Sequence, residues 1–413
     1  LMNEQNNLLK NLNVNTISAG TLAAIFGCTG PALIVIGGAQ NGGLSQAETI
    51  SWLFAIYFFG GLLGLILSLK YKQPIAGAYS IPGAVLVAGA LTHFSLNEAA
   101  GAYLVSGIIV FILGISGLIG KVMHWLPVPI VMAMIVGAMI RFGTGMITSV
   151  EEAPLIAGAA ILVYLLSSRF IAHVPPILTA FLVAVIFAGS MNQFQMGAME
   201  PSFIVPGFVI PTFSIDAILS ISIPLALLVI GAENAQASGV LIAQDYKPPI
   251  NAMTIYSGIG GIITSLFGGH NANVAGPMTA ICASEEAGQD KKGRYASVVV
   301  NGVLFATFGL LAGVAVPFVT GMPSVLIGTV AGLAMIGVLL SSLQSAFSNP
   351  RFQIGSFFAL VIGMSGVSFF DISSPFWAIV GGVLVSLIIE KRDFDAVKQS
   401  RKEDSSRTKV ETA

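Results

Sequence analysis

The chain has 413 residues, with 18 Lys and Arg against 19 Asp and Glu and a formal net charge of −1. Charged residues make up 9% and apolar ones 55%, where a soluble domain carries roughly 25% charged residues. So few charges cannot clothe a water-exposed surface, which argues against a soluble enzyme, and the near-neutral balance offers nothing to nucleic acid.

Residues 1–16 are polar and Asn-rich and read as a cytoplasmic N-terminal segment. The apolar stretch that follows runs on into more membrane-like sequence, so it is expected to be a retained span rather than a cleaved signal. Fourteen apolar segments succeed one another, near 17–38, 48–69, 75–92, 99–120, 127–145, 153–170, 175–190, 215–242, 250–267, 271–284, 296–318, 324–343, 354–370 and 373–390. Most approach the roughly 20 residues that a helix needs to cross a bilayer. Two, 75–92 and 271–284, are short and open on Gly, Pro and polar residues. The loop 191–214 has no Lys or Arg and divides the chain into two halves of seven segments. Seven is odd, so the second half enters the membrane inverted relative to the first. The expected fold is an all-α polytopic membrane protein of 14 transmembrane segments in two inverted repeats. With that count, 17 of 18 basic residues fall on one face, Arg141 alone lying opposite. The positive-inside rule makes that face the cytoplasm, holding both termini, and puts loop 191–214 in the periplasm. Of the last 24 residues, 13 are charged, which reads as a solvated cytoplasmic tail over 391–413.

Candidate site residues appear in the same order. In span 1, Phe26 offers a ring for an aromatic ligand, and Thr29 lies beside a kink expected at Pro31. Span 3 opens on Tyr79-Ser80-Ile81-Pro82-Gly83, with two hydroxyls and a Pro suited to a first helical turn. Glu48 and Glu98 stand at span starts, where carboxylates cap helices, and Asp371 and Glu390 lie at segment ends. Glu233 differs, because it lies well inside span 8. An ionised carboxylate at that depth is costly unless paired, hydrated or protonated, and marks an ion or proton path. Helical spacing puts Glu233, Gln236 and Ala237 on one face, with Asn234 about 100° away. Span 10 opens on His270-Asn271-Ala272-Asn273-Val274-Ala275-Gly276-Pro277-Met278-Thr279. A helix broken at that depth presents backbone N–H groups and its positive dipole end to a small anion. Short, Gly/Pro-interrupted segments at matching places in two inverted halves point to a transporter's binding site. Cys28 and Cys282, with His93, His124, His173 and His270, lie at no metal-like spacing, and no phosphate loop follows the Gly-rich stretches. No cofactor, metal or enzymatic activity is expected.

The segment 269–281, the following Glu285-Glu286-Ala287-Gly288 and Tyr79-Ser80-Ile81-Pro82-Gly83 resemble the bacterial benzoate:proton symporters, the BenE family, over essentially the whole chain. That family is related in fold to the nucleobase–ascorbate transporters, such as uracil permease. The resemblance implies a core domain from spans 1–4 (17–120) and 8–11 (215–318), and a gate domain from spans 5–7 (127–190) and 12–14 (324–390). It also implies a short extended strand before the helices of spans 3 and 10, with substrate between them. Glu233 matches the span 8 glutamate that binds substrate in uracil permease, and His270 stands where that protein has a second glutamate. A second carboxylate would repel an anion, so this departure favours a carboxylate substrate.

The reading is therefore an inner-membrane secondary transporter that imports benzoate or a similar aromatic carboxylate with protons by alternating access. Phe26, Thr29, Tyr79, Ser80, Glu233, Gln236, His270, Asn271, Asn273 and Thr279 are the candidate substrate residues, and Glu233 and His270 the candidates for proton coupling. The partners expected are the carboxylate, protons, membrane lipid and, as related folds imply, a second copy in a homodimer. The alternatives are a nucleobase or inorganic-anion carrier of the same fold, and a passive channel or facilitator.

Overall fold

The computed structural model describes residues 8–119, 127–171, 174–195, 204–367, 369–370 and 374–395. The N-terminal seven residues, the tail beyond 395, residues 196–203 of the long loop, and His124, His173 and Asp371 lie outside the described residues. A helix occurs in each of the 14 segments expected from the sequence. In the first half these are α1 (Val14–Cys28), α2 (Gly30–Asn41), α3 (Gln46–Tyr71), α4 (Ile81–Ala90), α5 (Leu96–Ile115), α6 (Val128–Glu152), α7 (Ala159–Phe170) and α8 (Pro176–Ser190). The second half has α9 (Ile215–Ile242), then α10 (Ile250–Ser265), α11 (Gly276–Ala283), α12 (Tyr295–Leu310), α13 (Ala312–Thr320), α14 (Ser324–Phe347), α15 (Gln353–Ser365) and α16 (Ser374–Ile389). Two short strands, β1 (Gly77–Ala78) and β2 (Asn273–Val274), precede α4 and α11.

Among the described residues, six helices are long and apolar enough to cross a bilayer, α1 and α2 counting together as one of them. The pair α12 and α13, bent by 67°, makes up to a seventh. The outer surface exposes large apolar side chains such as Leu162, Leu165, Ile186, Phe357 and Leu384, which suits hydrocarbon rather than water. The protein is a polytopic membrane protein.

The first span breaks at Thr29, two residues before Pro31. Pro31 has no N–H to give the Gly27 carbonyl one turn back, and the Tyr57 hydroxyl on α3 donates to that carbonyl instead. The acids at helix ends behave as caps. Ser45 with Glu48 and Ser95 with Glu98 form capping boxes on α3 and α5. Glu390 accepts from the Ile354 and Gly355 N–H groups at the start of α15.

Two packed groups emerge. In one, α3 packs on α12, α5 on α10, and α1 on α12 and α11. In the other, α6 packs on α14, α15 and α16, and α7 on α8. Between these groups lie the strands and the two short helices. Gly77 pairs with Val274 and Ala78 with Asn273 in an antiparallel ladder. β1 lies on α3, where Gly60 and Gly64 let the backbones meet: a Cβ on Gly60 would fall 2.5 Å from the Ala78 carbonyl oxygen. Gly260 on α10 makes the same close approach to the Ala272 carbonyl beside β2.

Candidate substrate site

The two short helices start beside one another because their strands are paired. Ser80 caps α4, its hydroxyl accepting from the Gly83 N–H at 3.0 Å. On the other strand, the Ala275 N–H donates to the Ala76 carbonyl at 2.9 Å, and the Ala76 N–H donates to the Thr279 hydroxyl at 3.1 Å. A two-residue ladder leaves other backbone groups to be satisfied by side chains. The Ser257 hydroxyl on α10 accepts from the Val274 N–H and in turn donates to Asn234 of α9, both at 3.1 Å. The Asn234 amide also reaches Thr254, at 3.4 Å.

α9 brings Glu233 to this junction. The helix widens to π geometry over Ile218–Ser222 and again over Leu228–Asn234, as helices often do at functional sites. Glu233 is buried, at 3% exposure. Its Oε2 accepts from the Gly276 N–H, the first of α11, at 3.2 Å. The Ser80 hydroxyl and the Ile81 N–H at the start of α4 face the same carboxylate. Gln236 lies one turn on, with its side chain against Gly276, where a Cβ would collide with it.

Glu233 and Gln236 open onto a cavity of about 610 Å³, within the usual range for small-molecule sites. One wall is Phe26, Ile81, Pro82, Gly231, Ala232, Ala235 and Pro277. The opposite wall comes from the second packed group: Val128, Met132 and Ile135 of α6, Tyr164 of α7, Pro175, Pro176 and Ile177 at the start of α8, and Leu333, Ala334, Gly337, Ser341, Ser342 and Ser345 of α14. The lining is mostly apolar, with a carboxylate, an amide and a few hydroxyls.

Of the ten residues singled out from the sequence, Phe26, Glu233 and Gln236 line this cavity. The other seven do not. Thr29 turns its hydroxyl onto its own helix, donating to the Ile25 carbonyl at 2.8 Å. Tyr79 is buried, and its hydroxyl meets that of Tyr57 at 2.8 Å. Tyr57 gives its hydrogen to Gly27, so Tyr79 is the donor in that pair. Both ring nitrogens of the fully buried His270 are engaged. Nδ1 accepts from the Trp52 indole N–H at 3.0 Å, which leaves the hydrogen on Nε2, 3.0 Å from the Ser80 carbonyl. His270 therefore holds the β1–α4 corner in place and does not face the cavity. Ser80, Asn271, Asn273 and Thr279 are likewise buried behind the cavity wall. The helical spacing read for span 8 also needs correction. Ala237 is buried and does not line the cavity, whereas the wide turns bring Gly231, Ala232, Glu233, Ala235 and Gln236 all to it.

A family model described as "Benzoate membrane transport protein", BenE, matches residues 10–388. The chain belongs to this family. A benzoate membrane transport protein of Acinetobacter baylyi is 28% identical over 394 residues, covering 93% of this chain and 98% of that protein. The inner membrane protein YdcO of Escherichia coli is 27% identical over 383 residues, covering 92% and 98%. The transmembrane domain of the cyanobacterial bicarbonate transporter BicA has a similar fold, with TM-score 0.59 and 15% identity over 91% of this chain and 98% of that one. So has the murine anion transporter Slc26a9 in its inward-facing state, with TM-score 0.61 and 16% identity over 93% of this chain and 68% of that one. This BenE member is thus a membrane transporter with the fold of those anion carriers.

The wall built by α6, α7, α8 and α14 escaped the sequence reading of this BenE chain. Its residues are ordinary apolar side chains with no motif. The one signal was the cluster Ser341, Ser342 and Ser345 at the end of an otherwise apolar segment.

Proposed function

We propose that this transporter carries benzoate or a similar aromatic carboxylate together with protons across the bacterial inner membrane. The observation that carries the reading is a buried carboxylate, Glu233, held at two half-helix starts on the edge of an apolar cavity. Phe26, Met132, Ile135 and Leu333 suit an aromatic ring, and the half-helix N–H groups suit a carboxylate. The name of the Acinetobacter relative supports the same substrate. Glu233 takes up the coupled proton. Neutralising it spares the loaded site a second negative charge in hydrocarbon.

The moving parts follow from the packing. The group with α3, α5, α10 and α12 is the core, carrying the strand pair and Glu233. The group with α6, α14, α15 and α16 is the gate. The contacts repeat across the two halves: span 2 meets span 11, span 4 meets span 9, span 3 pairs with span 10, and span 5 packs on span 12. That exchange pattern is the one expected of two inverted seven-span repeats, and it supports 14 crossings. The cavity is walled by the start of α6, the latter part of α7, the start of α8 and the second half of α14. These ends lie on the Lys- and Arg-rich side, so the conformation is inward-facing, and alternating access follows by movement of core against gate.

The test is uptake of labelled benzoate into proteoliposomes under an inward proton gradient. Uphill accumulation that an uncoupler collapses is expected, and Glu233→Gln abolishes it. Full uphill uptake by that variant refutes the coupling role. A second reading, an inorganic-anion carrier, is favoured by the likeness to a bicarbonate transporter but sits poorly with the apolar lining. Thermal stabilisation by bicarbonate or sulfate and not by benzoate would favour it.

A further inference from the structure

The leading backbone donor of each half-helix, which would attract a substrate carboxylate, is turned to one that the chain itself supplies. On α4, the Ile81 N–H faces Glu233, Pro82 has none, the Gly83 N–H goes to the Ser80 hydroxyl and the Ala84 N–H to the Ser80 carbonyl. On α11, the Gly276 N–H goes to Glu233, Pro277 has none, the Met278 N–H has no acceptor among the described residues and the Thr279 N–H goes to the Ala275 carbonyl. The chain's own carboxylate thus occupies the place that an anionic substrate would take, at the edge of the cavity by which that substrate arrives.

No cation is at hand to let two carboxylates share this place. Among the described residues the one ion pair is Lys291 with Asp245, at the protein surface. The ionisable groups around Glu233 are Tyr79, with Cys28 beyond it, Tyr164 across the cavity, and His270, bonded to the Ser80 carbonyl. None of them is a fixed positive charge. Two carboxylates in contact cannot both stay ionised.

We propose that Glu233 is a tethered competitor for the substrate carboxylate: ionised, it takes the leading N–H of α11 and faces that of α4, and protonated, it yields them to the incoming anion. This rests on the reading of the protein as a carboxylate carrier and gives its coupling a geometry. The proton moves onto a Glu233 oxygen, from water in the cavity or from the substrate's own acid form. The loaded site then holds one proton and one carboxylate, the same charge as the empty site with ionised Glu233. Glu233 is accordingly displaced by substrate and is not one of its ligands.

The test is calorimetric titration of the full-length, detergent-solubilised protein with benzoate, from roughly pH 5.5 to 8.5, in buffers of different ionisation heat. Uptake of about one proton per benzoate is expected on the alkaline side, with Kd rising about tenfold per pH unit there. Glu233→Gln is expected to bind with no proton uptake, independently of pH, and more tightly than the wild type at the alkaline end. Weaker binding by this variant at every pH makes Glu233 a ligand and overturns the proposal. If the variant does not fold, the wild-type proton count decides alone: zero protons at every pH overturns it. Folded wild-type protein that binds no benzoate at any pH fails differently, because that result removes the substrate reading and the competitor with it.

Discussion

His270 illustrates how far a residue type can be read without its neighbours. A histidine ahead of a broken helix pointed to a ligand or proton carrier, and the sequence held nothing to say that Trp52, more than 200 positions earlier, would fill one nitrogen. Its geometry predicts a structural phenotype. His270→Ala strands the Trp52 N–H and the Ser80 carbonyl in a dry interior, at about 1–3 kcal/mol for each unpaired group. Thermal unfolding in detergent should show that loss, while the pH dependence of benzoate binding in the surviving fold stays as in the wild type. A shift in that pH dependence would return His270 to the proton pathway. Glu233 was legible for the opposite reason: a carboxylate deep in an apolar span needs no partner's position to be conspicuous.

Helix boundaries and the two short segments were legible because Pro, Gly and apolar runs act locally. The wide turns of α9 were not. Five of the six residues from Gly231 to Gln236 line one cavity, which an α-helix of 3.6 residues per turn does not permit, and no composition signal announces a π turn. The strand pair is equally a product of tertiary fit. Its fragility gives two predictions. Gly60→Val pushes a branched side chain into the Ala78 carbonyl and should cost at least the 1–3 kcal/mol, roughly, of an overpacked core. The readout is a fall in folded yield and melting temperature, and a variant of wild-type stability would contradict the close approach. Thr279→Val keeps the shape of the side chain but removes the acceptor of the Ala76 N–H. A loss of about 1–3 kcal/mol is expected, seen as faster amide exchange at Ala76.

At the scale of the whole molecule, the cavity wall comes from elements far apart in the chain, α1 and α9 against α6 and α14, and no local pattern encodes that meeting. The proposed inward-facing arrangement would make Ser345 accessible from one side only. Ser345→Cys should react with a membrane-impermeant thiol reagent from the cytoplasmic face, and benzoate should slow the reaction. Labelling from the periplasmic face alone would reverse the orientation. The strand ladder carries a further consequence, for how the protein is made. Ala78 waits for Asn273, which leaves the ribosome about 200 residues later. At the usual pace of synthesis that is a delay of about 10–40 s. Through that interval β1 has no partner strand, in a solvent that tolerates no unpaired backbone. The first half must therefore be sheltered by the insertion machinery, or linger at the interface, until the second half arrives, so a chain stopped after α8 should be cleared by proteolysis rather than accumulate as a half-transporter.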